Sequence, residues 1–154
     1  MIIKIYRLEN WLYNHHLKIL AIIVKMLVRV LFSAVIPPSV SIGKGTFITY
    51  HGLGVVMHKN TVIGKNCCIR QHVTIAGGRG GVPIIGDNVE INAGAVIVGP
   101  VHIGNYVRIG ANAVVIQDIP DNCTAVGVPA KVVKVYEPEK KHVFNLNYIW
   151  RILK

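Results

Sequence analysis

The chain has 154 residues, enough for one domain with a hydrophobic core of its own, and 52% of them are hydrophobic while only 16% are charged. Seventeen Lys and Arg against seven Asp and Glu give a formal net charge of +10, which favours an anionic lipid surface or a phosphorylated ligand as partner. Nucleic acid is not expected, because the aromatic residues (7%) are not interleaved with the basic ones as stacking platforms would be.

The first segment, residues 1–35, is predicted to be helical. Lys18, Lys25 and Arg29 are seven and four residues apart, so they share one helical face, and apolar residues cover much of the remainder. Three placements remain open: packing against the rest of the fold, lying in a membrane interface, or spanning a membrane. Two charges inside the apolar run disfavour spanning, and Trp11 with the basic flanks favours an interface.

Residues 36–133 follow a six-residue period that begins after Pro37 and Pro38, which end the helix. Aliphatic residues occupy every sixth position at Ile85, Ile91, Ile97, Ile103, Ile109 and Val115. The same register runs earlier through Ile42, Ile48, Met57, Ile63, Ile69 and Ile75. This period fits neither a helix nor a simple strand and predicts an all-β hexapeptide solenoid, with about five coils of three faces each.

Two stretches break this register, and such breaks in a rigid solenoid favour functional sites. The first, residues 49–56, holds His51 between Tyr50 and Gly52, and an imidazole can accept a proton from a hydroxyl at physiological pH. His72 is a second candidate for lining the same cleft. The second break, residues 76–81, is glycine-rich around Arg79, and is either an anion-binding nest of backbone N–H groups or a hairpin without function.

The cysteine residues indicate the cellular compartment. Cys67 and Cys68 are adjacent and Cys123 stands alone, without metal-ligand spacing, so we expect reduced thiols in a cytoplasmic protein and no metal. The C-terminal tail, residues 134–154, is basic and aromatic. A capping helix, a second membrane contact and partial disorder all remain open for the tail.

The six-residue register, the His-Gly-x-Gly break, the glycine-rich break and the closing Gly127-Val-Pro-Ala-Lys131 together resemble the hexapeptide-repeat acyltransferases. Within them the chain resembles the serine acetyltransferase branch, and most closely its small relatives that O-acetylate polysaccharides, such as the colanic-acid type. The resemblance implies a left-handed parallel β-helix, a homotrimer with active sites between subunits, and acetyl-CoA as co-substrate.

The same resemblance assigns roles to individual residues. It implies that His51 is the general base, while Tyr50 and His72 are expected to contact the acceptor. The residues expected to bind acetyl-CoA are Gly77, Gly78 and Arg79 in the loop, Ala93 and Ala111 at small positions, and Lys131 near the nucleotide end. No metal and no covalent enzyme intermediate are required.

The acceptor is predicted from the positions at which this chain departs from the serine acetyltransferase pattern. That branch carries an aspartate directly before the histidine and another where this chain has Val35, and a second histidine where it has Val82; here Tyr50 precedes His51. Without those groups we expect the acceptor to be a sugar hydroxyl of a polysaccharide or of its lipid-linked precursor. The expected location is the cytoplasm, with peripheral contact with the inner membrane left open. The alternatives are a small acceptor such as serine, or a non-catalytic solenoid that binds an anionic membrane or a protein.

Overall fold

The computed structural model describes residues 2–137. Met1 and residues 138–154 are not described, so the three alternatives for the C-terminal tail lie almost entirely outside the described residues. Within the described part, two helices precede a solenoid of short parallel strands.

Three sheets form the faces of the solenoid, and each strand pairs with the strand one coil away. The first sheet contains β1 (Ser41–Ile42), β4 (Val62–Ile63), β7 (Ile84–Ile85) and β10 (His102–Ile103). The second contains β2 (Phe47–Ile48), β5 (Cys68–Ile69), β8 (Glu90–Ile91), β11 (Arg108–Ile109) and β13 (Cys123–Val126), with β14 (Lys131–Val135) antiparallel at its edge. The third contains β3 (Val56–Met57), β6 (Thr74–Ala76), β9 (Val96–Val98) and β12 (Val114–Val115).

The predicted parallel solenoid is confirmed, with four complete coils and a further strand, β13, rather than about five coils. The aliphatic residues of the six-residue register point inward and stack in register, as Ile63 does on Ile85. Ile69, Ile91, Ile97 and Ile109 are each 0% exposed. Full burial of such a side chain contributes roughly 1.5–3 kcal/mol, so this column is the main source of stability.

A charged cluster ties three coils together on the outer surface of the second sheet. Glu90 accepts hydrogen bonds from Arg70 (2.9 Å) and Arg108 (2.7 Å), which belong to the coils on either side. Burial alone would raise the pKa of Glu90, but the two guanidinium groups, Arg108 foremost, outweigh burial and lower that pKa. The carboxylate is therefore held in its charged form as a clamp between coils.

Helix α1 (Ile2–Asn14) packs against the solenoid. Ile2 and Tyr6 are buried in the core, and the Tyr6 hydroxyl donates a hydrogen bond to the Val40 carbonyl. The Arg7 guanidinium donates to the carbonyl oxygens of Ile42 (2.7 Å) and Gly43 (2.9 Å). These bonds dock α1 on the first coil.

Helix α2 (Lys18–Phe32) follows after a short turn and ends at Ser33, whose φ of 52° is left-handed. Only Ala21 and Val28 of this helix are buried. No helix among residues 2–137 is long and apolar enough to cross a membrane.

Glu9 lies on the inner side of α1, where it is 0% exposed, and neither of its carboxylate oxygens has a hydrogen-bond partner among the described residues. Burial raises the pKa of Glu9 to about 7, and the nearby Lys25 only partly opposes that shift. The side chain is therefore protonated in the folded protein at mildly acidic pH.

We expect Glu9 to make folding stability fall as pH rises from about 4.5 to about 7. In that window the unfolded chain ionises Glu9 while the folded chain keeps its proton, so the loss reaches up to about 3 kcal/mol at neutral pH. The measurement is urea denaturation of the wild type and of Glu9→Gln at several pH values. The difference between the two profiles isolates the contribution of Glu9, and identical slopes would contradict the prediction.

Candidate active site

The corner between the second and third sheets gathers four of the predicted site residues into one column. His72 N–H donates to the Leu53 carbonyl (2.8 Å), and Asn112 N–H donates to the Ala93 carbonyl (2.9 Å), so successive coils stack here. Ala93 and Ala111 therefore stack on Gln71, and His72 stacks between Gly54 and Gly94, at the strand spacing of about 4.8 Å per coil. His51 lies in the turn that precedes this stack on the first coil. We call this column the site corner (residues 50–54, 71–72, 93–94 and 111–112).

The first register break folds into a tight 3-10 turn, Tyr50–Gly52, at one end of the site corner. Tyr50 (φ 46°) and His51 (φ 54°) both adopt the left-handed conformation, which is uncommon for residues other than glycine and clusters at functional sites. Both side chains are exposed. The break therefore presents the His51 imidazole to solvent on a constrained backbone.

Both helices support the His51 turn, which the sequence analysis did not predict. A Cβ on Gly52 would lie 2.5 Å from Ile2 Cδ1, so the start of α1 packs directly beneath the turn. The Phe32 ring, at the end of α2, lies 6.1 Å from the His51 ring between centroids and is tilted by 45°. Among residues 2–137 no hydrogen bond to the imidazole is present, so packing rather than a polar partner positions it.

His72 lies beside the His51 turn, on the next coil. A Cβ added to Gly54 would come within 2.2 Å of His72 Nδ1, so the His72 ring occupies the space beside the His51 turn. Glycine is required at position 54 for that approach. The site corner thus contains two imidazoles on adjacent coils.

The glycine-rich break follows β6, so it lies where the strands of the third sheet end, whereas the site corner lies where they begin. Gly78 N–H donates to the Gly81 carbonyl (3.0 Å) and Gly81 N–H to the Gly78 carbonyl (3.4 Å), with exposed Arg79 and Gly80 at the tip. The loop is therefore a short hairpin in which two of the amides that an anion nest would need are already paired.

The loop has a close neighbour, His58, that the sequence analysis did not single out. A Cβ on Gly77 would lie 3.1 Å from the His58 ring, so that histidine covers the start of the loop. The signal was available, since His58 occupies the same corner one coil earlier. Within one chain the loop residues Gly77, Gly78 and Arg79 are not brought to the site corner.

Lys131 begins β14 and is exposed beyond the last complete coil. Ala130 N–H donates to the Val114 carbonyl (2.8 Å), which places this segment against the end of the third sheet. Lys131 is thus at the far end of the solenoid from His51.

The three cysteines are free and buried, as expected for reduced thiols. Burial raises the pKa of Cys68 to about 12 and also raises that of Cys67, so neither supplies a thiolate nucleophile. Residues 2–137 contain no group of three or more His, Cys, Asp or Glu side chains placed to hold a metal ion.

Comparison with known proteins gives related results at the level of family, sequence and structure. Residues 83–117 match the family described as bacterial transferase hexapeptide (six repeats). Serine acetyltransferase of Synechococcus elongatus is 39% identical over 133 residues, which cover 83% of this chain and 54% of that protein. The Escherichia coli K12 enzyme is 37% identical over 142 residues, covering 90% of this chain and 52% of that protein.

Solved structures of serine acetyltransferase share the fold. One in complex with cysteine has a TM-score of 0.83 at 35% identity, covering 91% of this chain and 55% of that chain. One in complex with CoA has a TM-score of 0.80 at 37% identity, covering 86% of this chain and 55% of that chain. The shared fold confirms the predicted left-handed parallel β-helix.

These findings correct the expected acceptor. The predicted polysaccharide O-acetylation and the colanic-acid branch are wrong, because the relatives are named for serine and their structures hold cysteine or CoA. The error came from treating missing charges at positions 35, 50 and 82 as decisive. An acceptor can be held by other polar groups of the corner, such as His72.

This chain spans a little over half of the length of the relatives it matches. The described residues therefore form a parallel β-solenoid that carries the hexapeptide-repeat match over residues 83–117 and is similar to the part of serine acetyltransferase that it spans.

Proposed function

We propose that the protein transfers an acetyl group from acetyl-CoA to the hydroxyl of a small amino-acid acceptor, serine in the first instance. The observation that carries the proposal is the exposed, left-handed His51 at the head of the site corner, in a fold similar to structures in complex with cysteine and with CoA. The choice of serine as acceptor is supported by those relatives, whose names specify serine.

In the proposed reaction His51 takes the proton of the acceptor hydroxyl as its oxygen attacks the thioester carbonyl of acetyl-CoA. The new C–O bond forms, the C–S bond breaks, and the departing sulfur receives the proton back from the imidazolium. The left-handed turn constrains the backbone of His51 and the Phe32 ring borders one side of the imidazole, so part of its conformational freedom is already lost before reaction.

The CoA arm is proposed to run along the site corner. Ala93 and Ala111 lie one and two coils beyond His72, and their small side chains leave the corner open to a long, thin ligand. At the end of that path Lys131 provides a cation suited to the phosphates at the nucleotide end. The path from His51 to Lys131 thus matches an acyl group at one end and phosphates at the other.

Tyr50 and His72 are proposed to contact the acceptor. The Tyr50 side chain is 58% exposed next to His51, and its hydroxyl can both donate and accept a hydrogen bond. His72 borders the same turn. These two side chains occupy the places where polar contacts to an amino acid are needed in the absence of the two aspartates.

We also propose a homotrimer in which a neighbouring chain completes the site. Within one chain the site corner lies where the strands of the third sheet begin, and the Gly77–Gly81 loop lies where they end. This separation supports the proposal. A loop supplied by the neighbour would bring Gly77, Gly78 and Arg79 to the thioester.

The test is release of CoA thiol from acetyl-CoA with L-serine, with L-alanine as the matched acceptor that lacks only the hydroxyl. We expect release with serine and none with alanine above the rate of hydrolysis. CoA binding is measured separately by calorimetry. Binding of CoA without release on serine would refute the acceptor assignment, and failure to bind CoA at all would favour the non-catalytic solenoid.

A further inference from the structure

Helix α2 exposes an apolar face that nothing in the described structure covers. Its residues follow helical spacings of three and four, so they form one continuous surface. The members, 49–80% exposed, are Ile19, Ile23, Met26, Leu27, Val30 and Leu31; we call them the α2 face. A contiguous apolar surface of this kind on a folded protein indicates a binding surface.

The charges around the α2 face have one sign. Lys18 and Arg29 are exposed on the flank of the same helix, and Lys4 and Arg7 are exposed on α1. The only acidic residue of the helical segment, Glu9, is fully buried. The exposed charge of both helices is therefore entirely positive, which complements an anionic partner.

A hollow of about 420 Å³ runs along this flank and combines both properties. Its walls are apolar, from Ile22, Met26, Val30 and Val35, while Lys25 and Arg29 also line it. An anionic amphiphile meets such a space with its acyl part on the apolar wall and its headgroup at the cations.

We propose that the α2 face binds the surface of a membrane that contains anionic lipids, with α2 lying in the plane of the interface. The 15-residue helix, about 22 Å long, combines a wide apolar face with a cationic flank, the pattern of an interfacial helix. A second copy fits less well, because joining two α2 faces would bring the cations of chains that each carry +10 together.

The surface is also connected to the candidate site. Helix α2 ends at Phe32, whose ring contacts His51, so a chain bound through the α2 face holds the His51 turn close to the lipid. The membrane proposal does not depend on the acetyl-transfer proposal, since lipid binding is measured without substrate.

The test is flotation of the full-length chain with vesicles of phosphatidylglycerol and phosphatidylcholine, compared with vesicles of phosphatidylcholine alone. We expect flotation with the anionic vesicles only. Ile23→Asp should weaken binding at least about tenfold, because it places a carboxylate in the apolar contact. Ile84→Asp is the matched control: Ile84 is 46% exposed against 49% for Ile23, but lies on the first sheet, so binding should be unchanged.

A charge test covers the case in which Ile23→Asp does not fold. Lys18→Gln with Arg29→Gln should weaken binding about 25-fold, or about fivefold for each cation. The proposal is overturned if anionic vesicles do not bind the wild type, or if binding is insensitive to the charge variant. It is equally overturned if Ile23→Asp lowers the oligomeric mass in sedimentation velocity while leaving vesicle binding intact, which would assign the α2 face to a second copy.

Discussion

Replacing His51 with Asn is expected to lower the rate of acetyl transfer by at least about 10²-fold, the effect of losing a general base. Asparagine is the appropriate substitution because it tolerates the left-handed conformation that His51 adopts, with φ of 54°. Its amide cannot accept the proton of the acceptor hydroxyl at any ordinary pH. Since the side chain is exposed, the fold should persist.

The measurement is the rate of CoA thiol release under saturating serine, with kcat and KM determined separately. His102→Asn is the matched control, because His102 is also exposed but lies on β10, in the first sheet and outside the site corner. We expect a fall in kcat for His51→Asn and an unchanged rate for the control. Retention of full activity by His51→Asn would refute the role of His51 as base.

The solenoid was predictable because burial on a coil repeats every six residues, and that repeat is present in the sequence whatever the coil touches. Positions such as Ile91 and Ile109 are one coil apart and stack directly. The register breaks were predictable for the same reason, since His51 falls where the repeat is interrupted. The placement of His72, Ala93 and Ala111 at the same corner of successive coils follows from coil stacking alone.

The contacts made by the helices were not predictable, because they depend on how α1 and α2 dock on the solenoid. Nothing in local periodicity places Ile2 under Gly52 or the Phe32 ring beside His51. The burial of Glu9 is likewise a tertiary effect: a carboxylate within an otherwise mixed helix gives no local sign of being enclosed. The prediction of the acceptor was wrong for a related reason. The absence of a residue type at one position says nothing about the polar groups that other coils supply.

A column of glycines forms the most constrained part of the solenoid. Gly43, Gly64, Gly86 and Gly104 follow the four strands of the first sheet, and each packs against the backbone of the next coil. A Cβ on Gly64 would lie 2.4 Å from the Gly86 carbonyl oxygen and 2.3 Å from Asp87 Oδ1. Both groups belong to the adjacent coil, which Gly64 N–H also holds through a 2.9 Å hydrogen bond to the Ile85 carbonyl.

Gly64→Ala is therefore expected to destabilise the protein by about 3 kcal/mol or more, because two coils must separate to admit the methyl group. Gly110→Ala is the matched control. There a Cβ would meet Val126 Cγ1 at 2.7 Å and Val126 Cβ at 3.2 Å, and no backbone atom closer than 3.5 Å. Val126 is 37% exposed, so rotation of its side chain relieves the closer contact and a shift of a few tenths of an ångström relieves the other. We expect Gly110→Ala to cost less than about 1 kcal/mol, since alanine also reduces the entropy of the unfolded chain.

Urea denaturation at a fixed protein concentration measures both variants, so that any assembly affects them equally. A larger loss of stability for Gly64→Ala than for Gly110→Ala would establish that contact between the backbones of adjacent coils, and not glycine content, is what requires glycine at these corners. Equal losses would mean that the coils move apart easily at Gly64. In that case the positioning of the His51 turn would rest on its contacts with helices α1 and α2.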